Sequence, residues 1–319
     1  IYTGDMIAMA SSPTFDANKF VYRLNEEDWQ KLITNKRKPL MNKAVSALYP
    51  PGSTIKPLVV LSALDNDVIS PKLVVECNVN IDFYFHTNHC LKEKGQGFMS
   101  LRSSIKQSCD IYFYKTIQYY ELDKLAQYFR LFGLGQLTGV DIVGELKGTV
   151  PTTSYMNNRY GRFGWSKGAL LNFCIGQGEI LVTPIQIFNY TNLLASRGQA
   201  FRPHFVNMDQ ISENIKPNLN TEIWDRIIFD MGQVITHKNG TGKRALPLIP
   251  GMKVYGKTGT AENPHGEDHA WFIGWMNYHE KNYSIVVLLE NAGSGGVVAA
   301  PVAREIFKDI VKVNQVVAR

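Results

Sequence analysis

Tyr49-Pro50-Pro51-Gly52-Ser53-Thr54-Ile55-Lys56-Pro57 leads directly into an apolar run at 58–69. Two prolines and a glycine make a rigid turn. Pro57 suits the first turn of a helix, where backbone N–H groups have no partner within the helix. The pattern predicts a helix over 58–69 with Ser53 at its N-terminus. On a helix, residues i and i+3 share a face with Cβ atoms about 5–6 Å apart, so Lys56 is expected to reach the Ser53 hydroxyl. A serine hydroxyl becomes a nucleophile when a base takes its proton, and a desolvated lysine with a depressed pKa is such a base. The positive end of the helix disfavours a protonated lysine and offers N–H groups to a developing oxyanion. Taken alone, the same spacing also describes a capping serine followed by a surface lysine.

Two further elements follow. Ser108-Cys109-Asp110 places a second hydroxyl and a carboxamide-like acceptor with one residue between them. That arrangement suits passing a proton to a leaving amine and holding a substrate amide, whereas its plainer use is helix capping. Lys257-Thr258-Gly259-Thr260 lies in a run that reads as an edge strand. There Gly259 lets a substrate backbone approach, and the lysine and threonine groups suit a carboxylate. A lysine on a solvated edge, placed against aggregation, is the plainer use. Each element is common by itself, but the three in this order mark a serine acyl-transfer enzyme.

The chain has 319 residues, 45% hydrophobic and 19% charged, ample for one large core, and one domain over 1–319 is expected. The formal net charge is +6, yet the basic residues are scattered and Lys36-Arg37-Lys38 is the only compact run. This argues for a solvated surface over a nucleic-acid patch, with some attraction to anionic lipid or cell wall. No stretch approaches the roughly 18 consecutive apolar residues of a membrane span, and no charged-then-apolar leader opens the chain. The stretch Ile1-Tyr2-Thr3-Gly4-Asp5-Met6-Ile7-Ala8-Met9-Ala10 reads as the turn and second strand of a hairpin whose first strand is absent. The domain is therefore expected to be truncated at its N-terminus, with any anchor or export signal outside these residues.

Cys77, Cys90, Cys109 and Cys174 are too few for a disulfide scaffold and include no C-x-x-C pair. Cys77 and Cys90 are candidates for a local disulfide or, with His86 and His89, for a zinc site; free thiols are the alternative. Cys174 lies in the apolar stretch Leu171-Asn172-Phe173-Cys174-Ile175 and reads as a small core residue.

Periodicity and breakers predict two short helices around Ser108 over 101–120, and helices at 124–132, 184–196, 222–236 and 301–313. Strand-like runs fall at 253–261, 270–278 and 283–290, the last two joined as a hairpin across 279–282. Strands at both ends around a helical middle indicate an α+β domain with one antiparallel sheet assembled from the two termini.

The flanks of these elements carry a resemblance. Gly4-Asp5, Ser11-Ser12-Pro13-Thr14-Phe15-Asp16, the stretch from Tyr49 to Pro57 and Ser108-Cys109-Asp110-Ile111-Tyr112-Phe113-Tyr114 are the first matches. They continue in Phe132-Gly133-Leu134-Gly135 with Thr138-Gly139-Val140-Asp141, and in Gly176-Gln177-Gly178 with Thr183-Pro184-Ile185-Gln186. Lys257-Thr258-Gly259-Thr260-Ala261-Glu262-Asn263-Pro264-His265-Gly266 and Trp271-Phe272-Ile273-Gly274 complete the set. Together they resemble the transpeptidase domain of class B penicillin-binding proteins over nearly the whole chain. Asp110, where many relatives carry Asn, makes the chain most similar to the penicillin-binding protein 2 type of the rod-elongation machinery.

The resemblance implies an antiparallel sheet flanked by helices, a helical subdomain, and three elements lining one cleft. It implies that Ser53 attacks the penultimate D-alanine carbonyl of a peptidoglycan stem peptide with Lys56 as base. Ser108 would relay a proton to the departing D-alanine, assisted by Lys257, with Asp110 beside it in the second element. Thr258 and Thr260, with Gly259 between them, would bind the terminal carboxylate, and the Ser53 and Thr260 N–H groups would form the oxyanion hole. An amine from a neighbouring stem would then accept the acyl group. The resemblance implies β-lactam antibiotics as covalent inhibitors and no cofactor. Its implied partners are a membrane glycosyltransferase and elongation-complex proteins, with no nucleic acid. The implied location is the bacterial inner membrane, with the catalytic domain in the periplasm and a pedestal and anchor lying outside these residues. The same residues are open to two other readings, a serine β-lactamase and a non-enzymatic β-lactam sensor.

Overall fold

Residues 270–276, Ala-Trp-Phe-Ile-Gly-Trp-Met, contain no polar side chain that would mark a solvent face. That is the pattern of a strand covered on both sides. The computed structural model describes the chain apart from residues 22–23, 84–85, 91, 167, 200, 207–218 and 318–319, and gives only the backbone of His86, Asn88 and 314–317.

The chain begins with α1 (Asn18–Val21), α2 (Glu26–Ile33) and α3 (Lys43–Ser46), then α4 (Lys56–Asp65) behind a 3-10 turn at Gly52–Ile55. Two small hairpin-like pairs follow, formed by β1 (Val74–Cys77), β2 (Asn80–Phe83), β3 (His86–His89) and β4 (Gly97–Ser100). Next come α5 (Leu101–Gln107), α6 (Asp110–Ile117), α7 (Leu122–Leu131), α8 (Thr153–Tyr160), α9 (Gly168–Cys174), α10 (Pro184–Ala195) and α11 (Thr221–Thr236). The chain closes with β5 (Lys253–Ala261), β6 (His269–Tyr278), β7 (Lys281–Leu289) and α12 (Ala299–Val317).

The larger sheet is antiparallel in the order β5-β6-β7. Ala270 to Met276 are all buried. Successive side chains of a strand point to opposite faces, so both faces of β6 are covered; α10 and α12 each pack on β6 and β7, and α11 on β5. The helix starts are set locally. Thr183 accepts from the Gln186 N–H with Pro184 behind it, and Asn220 accepts from the Glu222 N–H; such caps satisfy donors that a helix leaves free.

The expected strand near the N-terminus is corrected. The backbone of Gly4 and Met6 bonds instead to His204, with Met6 N donating to His204 O at 2.8 Å and His204 N to Gly4 O at 3.0 Å. Gly4 has φ 85°, and a Cβ there would collide with the Arg202 carbonyl. Gly4 and Met6 spend those groups on residue 204 and form no strand, while Ile1 reaches the larger sheet through its ammonium, which donates to Asn282 O of β7 at 3.4 Å. The three described strands of that sheet all come from the C-terminal part. The first apolar helix stops at Asp65 rather than residue 69, because the chain turns through Asp67 at φ 53°.

Candidate active site

The turn carrying Ser53 is pinned to β5 by glycines. Gly52 has φ 54°, and a Cβ there would lie 2.5 Å from Thr260 O, a distance that real side chains do not tolerate. At Gly259 a Cβ would lie 2.7 Å from Thr54 Cγ2, so the close approach at this glycine is made by the Ser53 turn itself. Gly52 N donates to Gly176 O at 2.9 Å. Trp271 Nε1 donates to Pro50 O at 3.1 Å and the Tyr190 hydroxyl to Thr54 O at 3.3 Å. Gly52, Thr54 and Ile55 are buried while Ser53 is half-buried, the one residue of the turn left open.

Behind it lies a buried polar cluster. Lys56, fully buried, donates through Nζ to Ser108 O at 3.0 Å and to Ser108 Oγ at 3.3 Å, and forms an ion pair with Asp110. The ammonium also sits 5.1 Å from the centre of the Phe113 ring, within cation–π range. Lys257, equally buried, donates to Ser108 Oγ at 2.8 Å and to Thr258 O at 2.9 Å. Ser108 is thus held between two lysines. It caps α5 with φ 57° and ψ 42°, left-handed values that cost a non-glycine residue roughly 1–3 kcal/mol. Burial pushes the Lys257 amine well below the ordinary lysine range, the Lys56 charge adds to the effect, and Asp110 opposes it.

The expected reach of the Lys56 amine to the Ser53 hydroxyl is not among the described hydrogen bonds: the Lys56 backbone N–H donates to Ser53 O, while its Nζ is engaged by Ser108 and Asp110. Position on a helix face brought the two residues close, but the carboxylate of Asp110 draws the ammonium. A buried pair of this kind is held firmly, since removing one partner costs about 3–5 kcal/mol.

Cys77 and Cys90 meet, with Sγ atoms 3.4 Å apart, as unbonded thiols. Of the histidines weighed with them, His89 Nδ1 is 2.7 Å from Asn80 Oδ1, and the side chain of His86 lies outside the described residues. Among the described residues no three His, Cys, Asp or Glu side chains are grouped as a metal ion requires. Cys174 is a core residue, with its thiol on Leu171 O at 3.0 Å. All four cysteines are buried, so a thiol-alkylating reagent is expected to leave the native protein unmodified. After unfolding without reductant it should modify four sites; two, with Cys77 and Cys90 spared, would mark the local disulfide instead.

One group escaped sequence reasoning. Thr258 Oγ1 donates to Thr241 Oγ1 at 2.7 Å, and Thr241 N donates to Lys106 O at 3.2 Å. Thr241 sits in Asn239-Gly240-Thr241-Gly242, which reads only as a turn. Gln177, in the flank Gly176-Gln177-Gly178, donates through Nε2 to Thr260 O at 3.3 Å and braces the strand beside the turn.

A half-open hydroxyl, a buried hydroxyl between two amines and a strand bearing two more hydroxyls can together remove a proton, move it and hold an anion. The comparisons agree with that chemistry. The penicillin binding protein transpeptidase domain model matches residues 1–308. Peptidoglycan D,D-transpeptidase MrdA of Haemophilus influenzae is 30% identical, with 95% of this chain and 50% of that protein aligned. The structure of Pseudomonas aeruginosa PBP2 in complex with WCK 5153 superposes with a TM-score of 0.86 at 32% identity, over 96% of this chain and 68% of that one. The complex between PBP2 and MreC from Helicobacter pylori gives a TM-score of 0.84 at 31% identity, over 94% and 57%. The chain spans about half the length of the curated relatives it matches.

Proposed function

Because the chain belongs to the penicillin-binding protein transpeptidase family, we propose that it is a serine D,D-transpeptidase that cross-links peptidoglycan stem peptides ending in D-Ala-D-Ala and is covalently inhibited by β-lactams. The observation that carries this reading is the polar chain from Lys257 Nζ through Ser108 Oγ to Lys56 Nζ, at 2.8 and 3.3 Å.

In the relay Lys257 is the neutral amine, a form that its burial favours, so a proton on Lys56 has somewhere to go. Ser108 gives its hydroxyl proton to Lys257 and takes one from Lys56. The freed Lys56 amine then accepts the Ser53 proton as Ser53 Oγ attacks the carbonyl of the penultimate D-alanine. No net charge is created in the cluster by the relay. The oxyanion would be met by the N–H groups of Ser53 and Thr260. Thr258 and Thr260 would hold the terminal carboxylate. Ser108 then gives its hydroxyl proton to the departing amine of D-alanine and takes one back from Lys257, which returns to the neutral amine. An amine from a second stem peptide takes the acyl group from Ser53 and releases its proton to the same relay.

The partners proposed with this activity are a membrane glycosyltransferase and elongation-complex proteins, including one of the MreC kind seen with the Helicobacter pylori relative. The proposed setting is the periplasmic face of a bacterial inner membrane. Among the described residues no helix is long and apolar enough to cross a membrane.

The test is a turnover assay with a D-Ala-D-Ala-terminated stem peptide and an amine acceptor, read by mass spectrometry beside a penicillin adduct followed over time. Release of D-alanine with an acceptor-linked product, and an adduct that persists, are the expected results. Rapid loss of the adduct as hydrolysed penicillin would make the protein a β-lactamase, and a stable adduct with no transfer product would make it a sensor.

A further inference from the structure

Beside the loop whose Thr241 meets the Thr258 hydroxyl lies a pair of groups for which, in the tautomer set below, no acceptor is found among the described residues. Lys106 Nζ and His237 Nε2 are 3.4 Å apart. Asn239 N donates to His237 Nδ1 at 3.0 Å, so that nitrogen carries the lone pair and Nε2 carries the proton of the neutral ring. An ammonium and an imidazole N–H therefore face each other, an arrangement that repels until an acceptor is shared between them. Partial desolvation and the charges of Lys106 and Lys238 push His237 below the ordinary imidazole range, which favours the neutral ring.

The pair is joined to the site already described. Lys106 stands two residues before Ser108, and its carbonyl accepts the Thr241 N–H at 3.2 Å. His237 ends α11 and opens the same short loop, residues 237–242, that presents the Thr241 hydroxyl to Thr258. The acid that faces Lys106 is Asp230 of α11, and its Oδ1 accepts from Arg102 Nε at 3.1 Å. That oxygen is committed to Arg102, and the buried Oδ2 has no hydrogen-bond partner among the described residues. The described ion pairs include none between Asp230 and Lys106, which leaves Lys106 available to a ligand.

We propose that Lys106 and His237 form an anion subsite flanking Thr258, which takes the carboxylate of the substrate and of acidic β-lactams, and that Thr241 is a positioning residue acting through Thr258. A carboxylate supplies the acceptors that the two facing donors lack, with charge opposite to Lys106. Once Thr258 turns its proton to that carboxylate, its oxygen is free to accept from the Thr241 hydroxyl, so the two threonines reverse their bond and stay engaged. The proposal rests on the transpeptidase reading and extends it to residues outside the three sequence elements.

The test measures acylation rate constants for a penicillin and its methyl ester, on the native protein and on Lys106→Met, Lys106→Arg, Thr241→Val and Thr241→Ser. The ratio of the acid rate to the ester rate does not depend on how much protein is folded. It is expected to fall about tenfold in Lys106→Met and in Thr241→Val, the size of a lost charge-assisted hydrogen bond, and to stay within about twofold of native in Lys106→Arg and Thr241→Ser. A ratio that Met and Val leave unchanged, or acid and ester rates that fall in parallel, overturns the subsite while leaving the transpeptidase reading in place. A native protein that neither compound acylates overturns both.

Discussion

Replacing Ser53 by alanine is expected to abolish covalent labelling by penicillin, while the native protein gains one drug mass. The strained lactam imitates the D-alanyl-D-alanine amide. Attack by Ser53 Oγ opens the ring, and the nitrogen that leaves stays tethered to the acyl group, so it blocks the approach of an acceptor amine. Neither Ser108 nor Thr54 is placed to substitute. Ser108 is buried between Lys56 and Lys257 and Thr54 is buried with its hydroxyl on Pro51 O at 2.7 Å, whereas Ser53 is the half-open residue of its turn. Intact-mass spectrometry followed by peptide mapping decides it. A Ser53→Ala protein that still gains one drug mass, or a native adduct on another residue, would show that the nucleophile lies elsewhere.

Removing the Lys56 amine is expected to slow acylation by at least about 10²-fold, the lower end for a positioned general base. The structure adds a second consequence. Lys56→Ala leaves Asp110 buried without its ion-pair partner, so stability should fall by about 3–5 kcal/mol. The two effects separate because acylation is measured per folded molecule at a temperature where the variant is native. Thermal denaturation gives the stability loss, and stopped mixing with a chromogenic β-lactam gives the rate. An acylation rate within a few-fold of native would eliminate Lys56 as the base and leave it a structural cation.

Much of the fold was legible because it is written in local patterns. The helices at 184–196 and 222–236 begin with a capping residue and carry a helical apolar face, and both appear within a residue of their expected starts. The three C-terminal strands were legible from apolar runs separated by turns. The small pairs β1–β4 and β2–β3 were not anticipated: each strand has four residues, too few for a period-two pattern to rise above noise. The first ten residues misled because an apolar alternating stretch describes a strand equally well whether or not a partner accepts its hydrogen bonds, and here His204 takes them.

The sequence by itself determined the chemistry and the kind of fold. Ser53 with Lys56, Ser108 with Asp110, and Lys257 with Thr258 and Thr260 each lie within a few residues of one another, so their spacing and turn residues are local properties that can be read without a structure. Only the tertiary structure decided which of these groups touch. Lys56 reaches Ser108 across 52 positions and Lys257 reaches it across 149. Those contacts depend on how α4, α5 and β5 pack. Two buried amines converge on one hydroxyl because burial and the Asp110 charge set their positions, and that balance is a property of the assembled core. The meeting of Lys106 with His237, 131 positions apart, and of Thr241 with Thr258 across a turn, are decided in the same way.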